Sequence, residues 1–272
     1  MRPTIIAGNW KHNPDRSNGE SLLRDVMGGV EERRSRMVGD PDSVEVLIFP
    51  PLPWLGWLSA SGDTAQDSLP ISFGAQCVAE VSMGAFTGEV GAQLVKDFGA
   101  QWCLVGHSER RTLFGVDDES CARRVRQALD HKLKPVLCIG ETLAQRESGD
   151  TRSVVGEQLE RGLSLCVEGE QPVIAYEPVW AIGTGVTATV EQVAEVHGFL
   201  RDRLCELRGS GAEATPILYG GSVKADNAAD LLGLSDVDGA LIGGASLEAS
   251  SFLGILDAGI ACRGGREPKL HE

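Results

Sequence analysis

Apolar residues gather into short runs separated by longer amphipathic stretches. Eight runs stand out, at residues 4–8, 44–49, 71–75, 102–106, 135–140, 173–176, 216–219 and 238–243. They are rich in Val, Ile and Leu and close to continuously apolar. A strict alternation would mark a sheet with one wet face; continuous apolarity marks strands buried on both faces of a parallel sheet. Helical spacing fills the gaps. Leu22, Leu23, Val26, Met27 and Val30 form one stripe, with Ser17 and Glu20 spaced for a capping box before it. Ala122, Val125 and Leu129 form a second, with Asp117 and Asp118 suited to its N-terminal end. Val190, Val193, Ala194 and His197 form a third behind the cap pair Thr189 and Gln192, and Phe252, Leu253, Ile255 and Leu256 form the last. Eight β-then-α units predict an α/β chain folded as a (β/α)8 barrel. A doubly wound sheet is the alternative, but the first run is followed by G-N-W-K rather than the glycine-rich turn such sheets place there. No stretch reads as a linker, so residues 1–272 are expected to form a single barrel domain. Residues 40–43 and 59–69 read as surface loops, and the residues from about 264 as a short polar C-terminal tail.

Composition narrows the function classes. Hydrophobic residues are 42% and charged residues 24%, the balance of a globular chain with a sizeable core. Twenty-five Lys and Arg against 39 Asp and Glu leave a net charge of -14. Such a surface repels phosphate backbones, so nucleic acid is not an expected partner, although one local positive site could still hold a small anion. The seven cysteines, Cys77, Cys103, Cys121, Cys138, Cys166, Cys205 and Cys262, include no C-x-x-C pair, which gives zinc or a redox dithiol no support. Most lie inside apolar runs and are expected to be buried, reduced thiols. No basic start with an apolar leader opens the chain, and no apolar run approaches 18 residues. No membrane partner is expected, and the expected location is cytoplasmic.

In a barrel of this kind the chemistry lies where strands end. Asn9 and Lys11 follow the first run, His107 the fourth, Glu177 the sixth, Gly220, Gly221 and Ser222 the seventh, and Gly243 and Gly244 the eighth. Taken singly, each has an ordinary reading as a cap, a turn or a solvated charge. Together they bring a carboxylate, an imidazole, an ammonium and a set of glycines to one mouth. His12, His131, His197 and His271 have no such context and read as structural or solvated.

These strand-end segments carry a family resemblance. The motifs are G-N-W-K (8–11), G-A-Q (74–76), G-A-F-T-G-E (84–89), V-G-H-S-E-R-R (105–111), C-I-G-E (138–141), A-Y-E-P-V-W-A-I-G-T-G (175–185), Y-G-G-S-V (219–223) and G-A-L-I-G-G-A-S-L (239–247). The chain resembles the triosephosphate isomerase family along essentially its whole length. That resemblance implies a TIM barrel that interconverts dihydroxyacetone phosphate and glyceraldehyde 3-phosphate, acts as a homodimer, and uses no metal and no cofactor. It implies Glu177 as the base that moves a proton between adjacent carbons and His107 as donor to the developing enediolate oxygen. Lys11 and Asn9 would complete the catalytic group and touch the substrate. Gly183, Ser222, Gly243 and Gly244 would offer N–H groups to its phosphate, helped by a helix start after the eighth strand. Glu109 would pair with Lys11 from behind. Residues 178–188 match the lid, with Pro178, Val179 and Trp180 at its first hinge and Ala181, Ile182, Gly183, Thr184 and Gly185 at its tip; closure would exclude water from the enediolate. Tyr219 and Ser222 would latch it near Gly185 and Ala188. The loop over residues 77–88, with Val78, Val81, Met83 and Phe86, would carry the dimer, and Thr87 matches its tip. Three positions depart from the family pattern: Val186 begins the second hinge in place of a common lysine, Cys77 stands in place of asparagine, and His12 in place of methionine.

Overall fold

The computed structural model describes residues 2–37, 43–60, 71–183 and 185–262. Part of both expected surface loops, the polar tail from 264, and Thr184 of the lid lie outside the described residues. Eight strands form one closed, all-parallel barrel in sequence order. They are β1 (Thr4–Asn9), β2 (Val44–Phe49), β3 (Ser72–Ala75), β4 (Trp102–Val105), β5 (Lys134–Ile139), β6 (Val173–Tyr176), β7 (Ile217–Tyr219) and β8 (Gly239–Ile242). β1 closes the ring by pairing Ile5 with Gly239 and Gly8 with Ile242. Around it lie α1 (Arg16–Met37), α2 (Leu52–Ala60), α3 (Ala92–Asp97), α4 (Ser108–Phe114), α5 (Asp118–Asp130), α6 (Leu143–Glu147), α7 (Thr151–Gly162), α8 (Val190–Arg208), α9 (Ala228–Leu232) and α10 (Ala249–Cys262). All eight runs are strands, with ends shifted by no more than two residues.

The near-continuous apolarity of the runs has a direct cause. Alternate strand residues feed two separate cores. Ile5, Ala7, Leu47, Phe49, Trp102, Leu104 and Leu218 fill the barrel. Ile6, Val46, Ile48, Cys103 and Val105 face outward into the helix layer, against Leu23, Val26, Val125, Val193 and Phe252. Away from the strand starts, where Glu45, Ser72 and Lys134 reach solvent, neither face of a strand meets water, so the strand middles are apolar.

Three local readings change. The N-terminus of α1 is capped by Asp15, whose carboxylate accepts the Asn18 N–H at 3.0 Å, while Glu20 pairs with Arg16; Ser17 and Glu20 form no capping box, because Asp15 takes the Ser17 hydroxyl as well. The stripe of α8 is rotated: Val193, Val196, His197, Leu200 and Leu204 are buried, and Ala194 is exposed. The predicted Thr189–Gln192 capping box is present. All seven thiols are free, but only Cys103, Cys121 and Cys138 are buried. The other four sit at helix and loop margins where one side of the residue meets solvent.

Beneath the barrel, Asp238 is fully buried and accepts from Arg2, Arg201 and the Ile217 N–H at 2.6, 2.8 and 2.9 Å. Burial outweighs these partners and raises its carboxyl above the ordinary value. His197 is also fully buried, with Nδ1 3.0 Å from the Asp236 carbonyl. Burial depresses its ring from 6.5 to about 4. The unfolded chain therefore takes a proton on this ring across that interval and the folded chain does not, so stability falls as pH falls. We expect a contribution of about 1.4 kcal/mol per pH unit between 6.5 and about 4. Thermal unfolding followed against pH should lose that part of its slope in His197→Gln; an identical slope in both proteins refutes the assignment.

Candidate active site

The ends of five strands, β1, β4, β6, β7 and β8, converge on a cavity of about 310 Å3 at the C-terminal mouth of the barrel. Asn9, Lys11, His107, Glu177, Gly183, Ser222, Gly243 and Gly244 all line it, as do Ala181 and Ile182 of the lid. Glu109, Pro178, Val179, Trp180 and Gly185 stand behind or beside that lining, and Thr87 is exposed on its loop, away from the cavity of its own chain.

Glu177 directly follows β6 and is buried. Its Oε1 lies 3.0 Å from His107 Nε2, and its Oε2 accepts the Ser108 N–H at 3.0 Å. The backbone there is set by close contact. The Glu177 N–H donates to the Ile139 carbonyl at 2.8 Å, and a Cβ on Gly140 would fall 1.8 Å from the Glu177 carbonyl oxygen. Burial alone would raise the Glu177 carboxyl, but His107 and the Ser108 N–H outweigh it and hold it below its ordinary value. It is an ionised carboxylate at neutral pH.

His107 caps α4, and its Nδ1 accepts the Glu109 N–H at 3.3 Å. A neutral ring so held carries its proton on Nε2, toward Glu177 and the cavity. Burial pulls the ring's proton affinity down, and the Glu177 carboxylate outweighs it, for a net rise. Separating the two side chains removes the larger part of that rise; burial and the Lys11 charge then favour the neutral ring, against the smaller pull of Glu109.

Lys11 adopts a left-handed backbone with φ 51°, and its Nζ lies 2.5 Å from Glu109 Oε1, the expected pairing. The Lys11 N–H donates to Asn9 Oδ1 at 3.0 Å. The lid begins as a single turn of 3-10 helix over Val179–Ala181 and continues through Gly183 and Gly185, both at positive φ. Behind β8 the expected helix start is likewise one 3-10 turn, Gly244–Leu247, with α10 beginning at Ala249.

Some residues of the site carry no role in the reading of the sequence. Glu141 is fully buried; its carboxylate accepts from the Tyr176 hydroxyl at 3.1 Å and from Trp180 Nε1 at 2.9 Å, and faces Arg146 at 3.4 Å. It anchors the first hinge of the lid. Burial and that carboxylate push the Tyr176 hydroxyl up, so it stays a donor. The C-I-G-E motif was the available signal: a carboxylate two residues past a strand end. Gln76 is the other: its side-chain amide donates to the Lys11 carbonyl at 2.7 Å and to the Phe49 carbonyl at 2.9 Å. The Tyr219 hydroxyl, pushed up to about 12 by burial, lies by the Ala188 amide without closing a hydrogen bond of normal geometry. Among the described residues, the Tyr219 half of the expected latch is not engaged.

The triosephosphate isomerase family profile matches residues 4–259. The chain belongs to the triosephosphate isomerase family. A triosephosphate isomerase of Halorhodospira halophila is 48% identical over 264 residues, covering 95% of this chain and 98% of that one. One from Cupriavidus necator is 45% identical over 260 residues, covering 95% and 100%. The crystal structure of triosephosphate isomerase from Bartonella henselae superposes with a TM-score of 0.80 at 38% identity, covering 94% of this chain and 98% of that chain. Family membership accounts for the strand-end motifs, and the three departures fall around the site rather than in it. Val186 is 53% exposed beyond the lid tip, and His12 is exposed. Cys77 is half-buried, with Arg124 Nη1 3.3 Å from its sulfur.

Proposed function

We propose that this chain interconverts dihydroxyacetone phosphate and D-glyceraldehyde 3-phosphate, with Glu177 moving the proton and His107 stabilising the enediolate. The observation that carries the reading is the buried Glu177–His107 contact of 3.0 Å inside a cavity also lined by Lys11 and by glycine loops. Shifting a carbonyl by one carbon requires a base that removes a proton beside it and returns it to the neighbouring carbon. A substrate entering between Glu177 and His107 relieves the carboxylate of its partner while burial persists, so its proton affinity rises when a base is needed. The same step frees the Nε2–H of His107 for the substrate oxygen, whose developing charge it stabilises. Lys11 adds positive charge, and Asn9 a polar side chain on the same wall. The backbone N–H groups of Gly183, Ser222, Gly243 and Gly244 are proposed to hold the phosphate. Such local donors reconcile an anionic substrate with a net charge of -14.

An isomerase of a four-carbon ketose phosphate would use the same groups in a larger pocket. A coupled assay offering three- and four-carbon phosphates should show turnover of the former by at least about tenfold in kcat/KM, the scale of one methylene in a fitted pocket. Equal or reversed rates overturn the substrate assignment.

We also propose a homodimer. Met83 is 90% and Phe86 49% exposed on the 77–88 loop, and Phe114 is 63% exposed on α4. A chain working alone would leave these apolar groups in water. Val78 does not contribute, because it is buried in its own core. In this reading each loop docks beside the other subunit's Lys11 and Asn9, with Thr87 at the tip. Sedimentation at micromolar concentration should show a dimer. Shortening the loop should give a monomer of very low activity, and a fully active monomeric parent contradicts the proposal. A reducing, cytoplasmic setting is supported by seven free thiols.

A further inference from the structure

We propose that Lys224 is a binding residue for the substrate's phosphate, giving the cavity mouth the full positive charge that its backbone donors lack; the inference rests on the phosphate site proposed at Ser222, Gly243 and Gly244. Lys224 lines the cavity from the loop after β7, two residues past Ser222. Its backbone is pinned on both sides. Val223 before it is buried in the core between barrel and helices. Asn227 after it closes a turn: its Oδ1 accepts the Lys224 N–H at 2.8 Å and its Nδ2 donates to the Ser222 carbonyl at 3.1 Å. The Lys224 carbonyl accepts the Ala228 N–H at 3.0 Å. The turn fixes the base of the side chain beside the proposed phosphate donors, while the residue itself stays exposed.

The balance of charge decides what Lys224 does there. Among the described residues, Lys11 and Lys224 are the ammonium groups that line the cavity. The Lys11 charge is matched by Glu109 at 2.5 Å, and the ionised Glu177 adds a negative charge. Without Lys224 these groups leave the mouth net negative, on a chain whose total is already -14. A phosphate monoester is close to a dianion at neutral pH, because its second ionisation falls at about pH 6. Backbone N–H groups at a loop or helix start carry partial charges; they orient such a group without offsetting two full charges. Among the described residues Lys224 forms no ion pair and no side-chain hydrogen bond, so no protein carboxylate neutralises its ammonium. A concave mouth with low-dielectric walls concentrates the field of such a charge on an incoming anion.

Lys224→Gln tests this, since it removes the charge and leaves the backbone turn in place. At an ionic strength of about 0.01 M, kcat/KM should fall and the dissociation constant for inorganic phosphate, measured by calorimetric titration, should rise, each about 3- to 10-fold. The change should lie in KM more than in kcat, because the charge holds the phosphate alike in ground and transition states. At about 1 M salt, where charges are screened within about 3 Å, the difference from the parent should shrink below about twofold. Lys224→Arg should keep both constants near the parent's, and Lys224→Glu should lose more than Lys224→Gln. Lys96→Gln makes the same change of net charge at the opposite end of the barrel, where Lys96 Nζ reaches the Lys132 carbonyl at 3.4 Å, and should leave both constants near the parent's. A Lys224→Gln protein with parent-like phosphate affinity at low salt overturns the proposal. So does a loss that persists at about 1 M salt, or one that Lys224→Arg shares, since either would mark a structural role. If Lys224→Gln does not accumulate as folded protein, Lys224→Glu is read against Lys224→Arg in the same titrations. A parent chain with no isomerase turnover would refute the proposed activity, and the phosphate titrations would still decide the role of Lys224.

Discussion

Glu177→Gln is expected to lower kcat by about 10²- to 10⁴-fold, the usual contribution of a positioned general base. The amide keeps the size of the carboxylate, and its oxygen can still accept the Ser108 N–H that Oε2 now accepts at 3.0 Å. Packing should therefore survive, while the only buried carboxylate lining the cavity among the described residues is lost. KM should change much less than kcat, because the carboxylate acts in the proton-transfer transition state more than in binding. Steady-state assay of the purified variant decides the matter, with melting temperature as a control for folding. Retention of more than about a tenth of kcat would remove Glu177 from the role of base.

A single methyl group on Gly140 should do comparable damage from outside the cavity. Gly140 is held at both ends by one side chain: its N–H donates to Gln158 Oε1 at 2.7 Å, and Gln158 Nε2 donates to its carbonyl at 3.2 Å. It cannot drift to make room. The Cβ of Gly140→Ala would lie 1.8 Å from the Glu177 carbonyl oxygen, so the backbone of Glu177 must move instead. That shift carries the carboxylate away from His107, and a displacement near 1 Å costs about 10²-fold in rate. Overpacking of this kind also destabilises by about 1–3 kcal/mol. The expected signature is a fall in both kcat and melting temperature. Parent-like activity would mean that the strand ends yield more easily than their hydrogen bonds suggest.

Much of the fold was readable because a barrel buries both faces of every strand. Ile5 and Ala7 point one way and Ile6 the other, and all three must be apolar, so each strand announces itself as a run. The capping boxes were less secure. Thr189 and Gln192 formed theirs, but a neighbouring acid overrode Ser17 and Glu20, since Asp15 accepts the Ser17 hydroxyl and the Asn18 N–H together. Local spacing names candidates for a cap; competition among adjacent side chains chooses between them.

Within the site, Asn9, Lys11, His107 and Glu177 were legible because each lies at or within two residues of a strand's C-terminal end, and parallel strands deliver those ends to one mouth. The chain order alone did not reveal Gln76 or Glu141. Their contribution lies in contacts across the sequence, 65 residues from Gln76 to Lys11 and 39 from Glu141 to Trp180. Neither side chain has a distinctive neighbour in the chain to mark its partner. The left-handed turn at Lys11 is likewise invisible in G-N-W-K, because nothing in a lysine signals positive φ. Residue identity at strand ends decided which chemical groups reach the cavity. Barrel closure decided which of them touch, since only the ring of hydrogen-bonded strands sets β1 beside β8 and brings Lys11, Glu109, His107 and Glu177 within ion-pair distance of their partners.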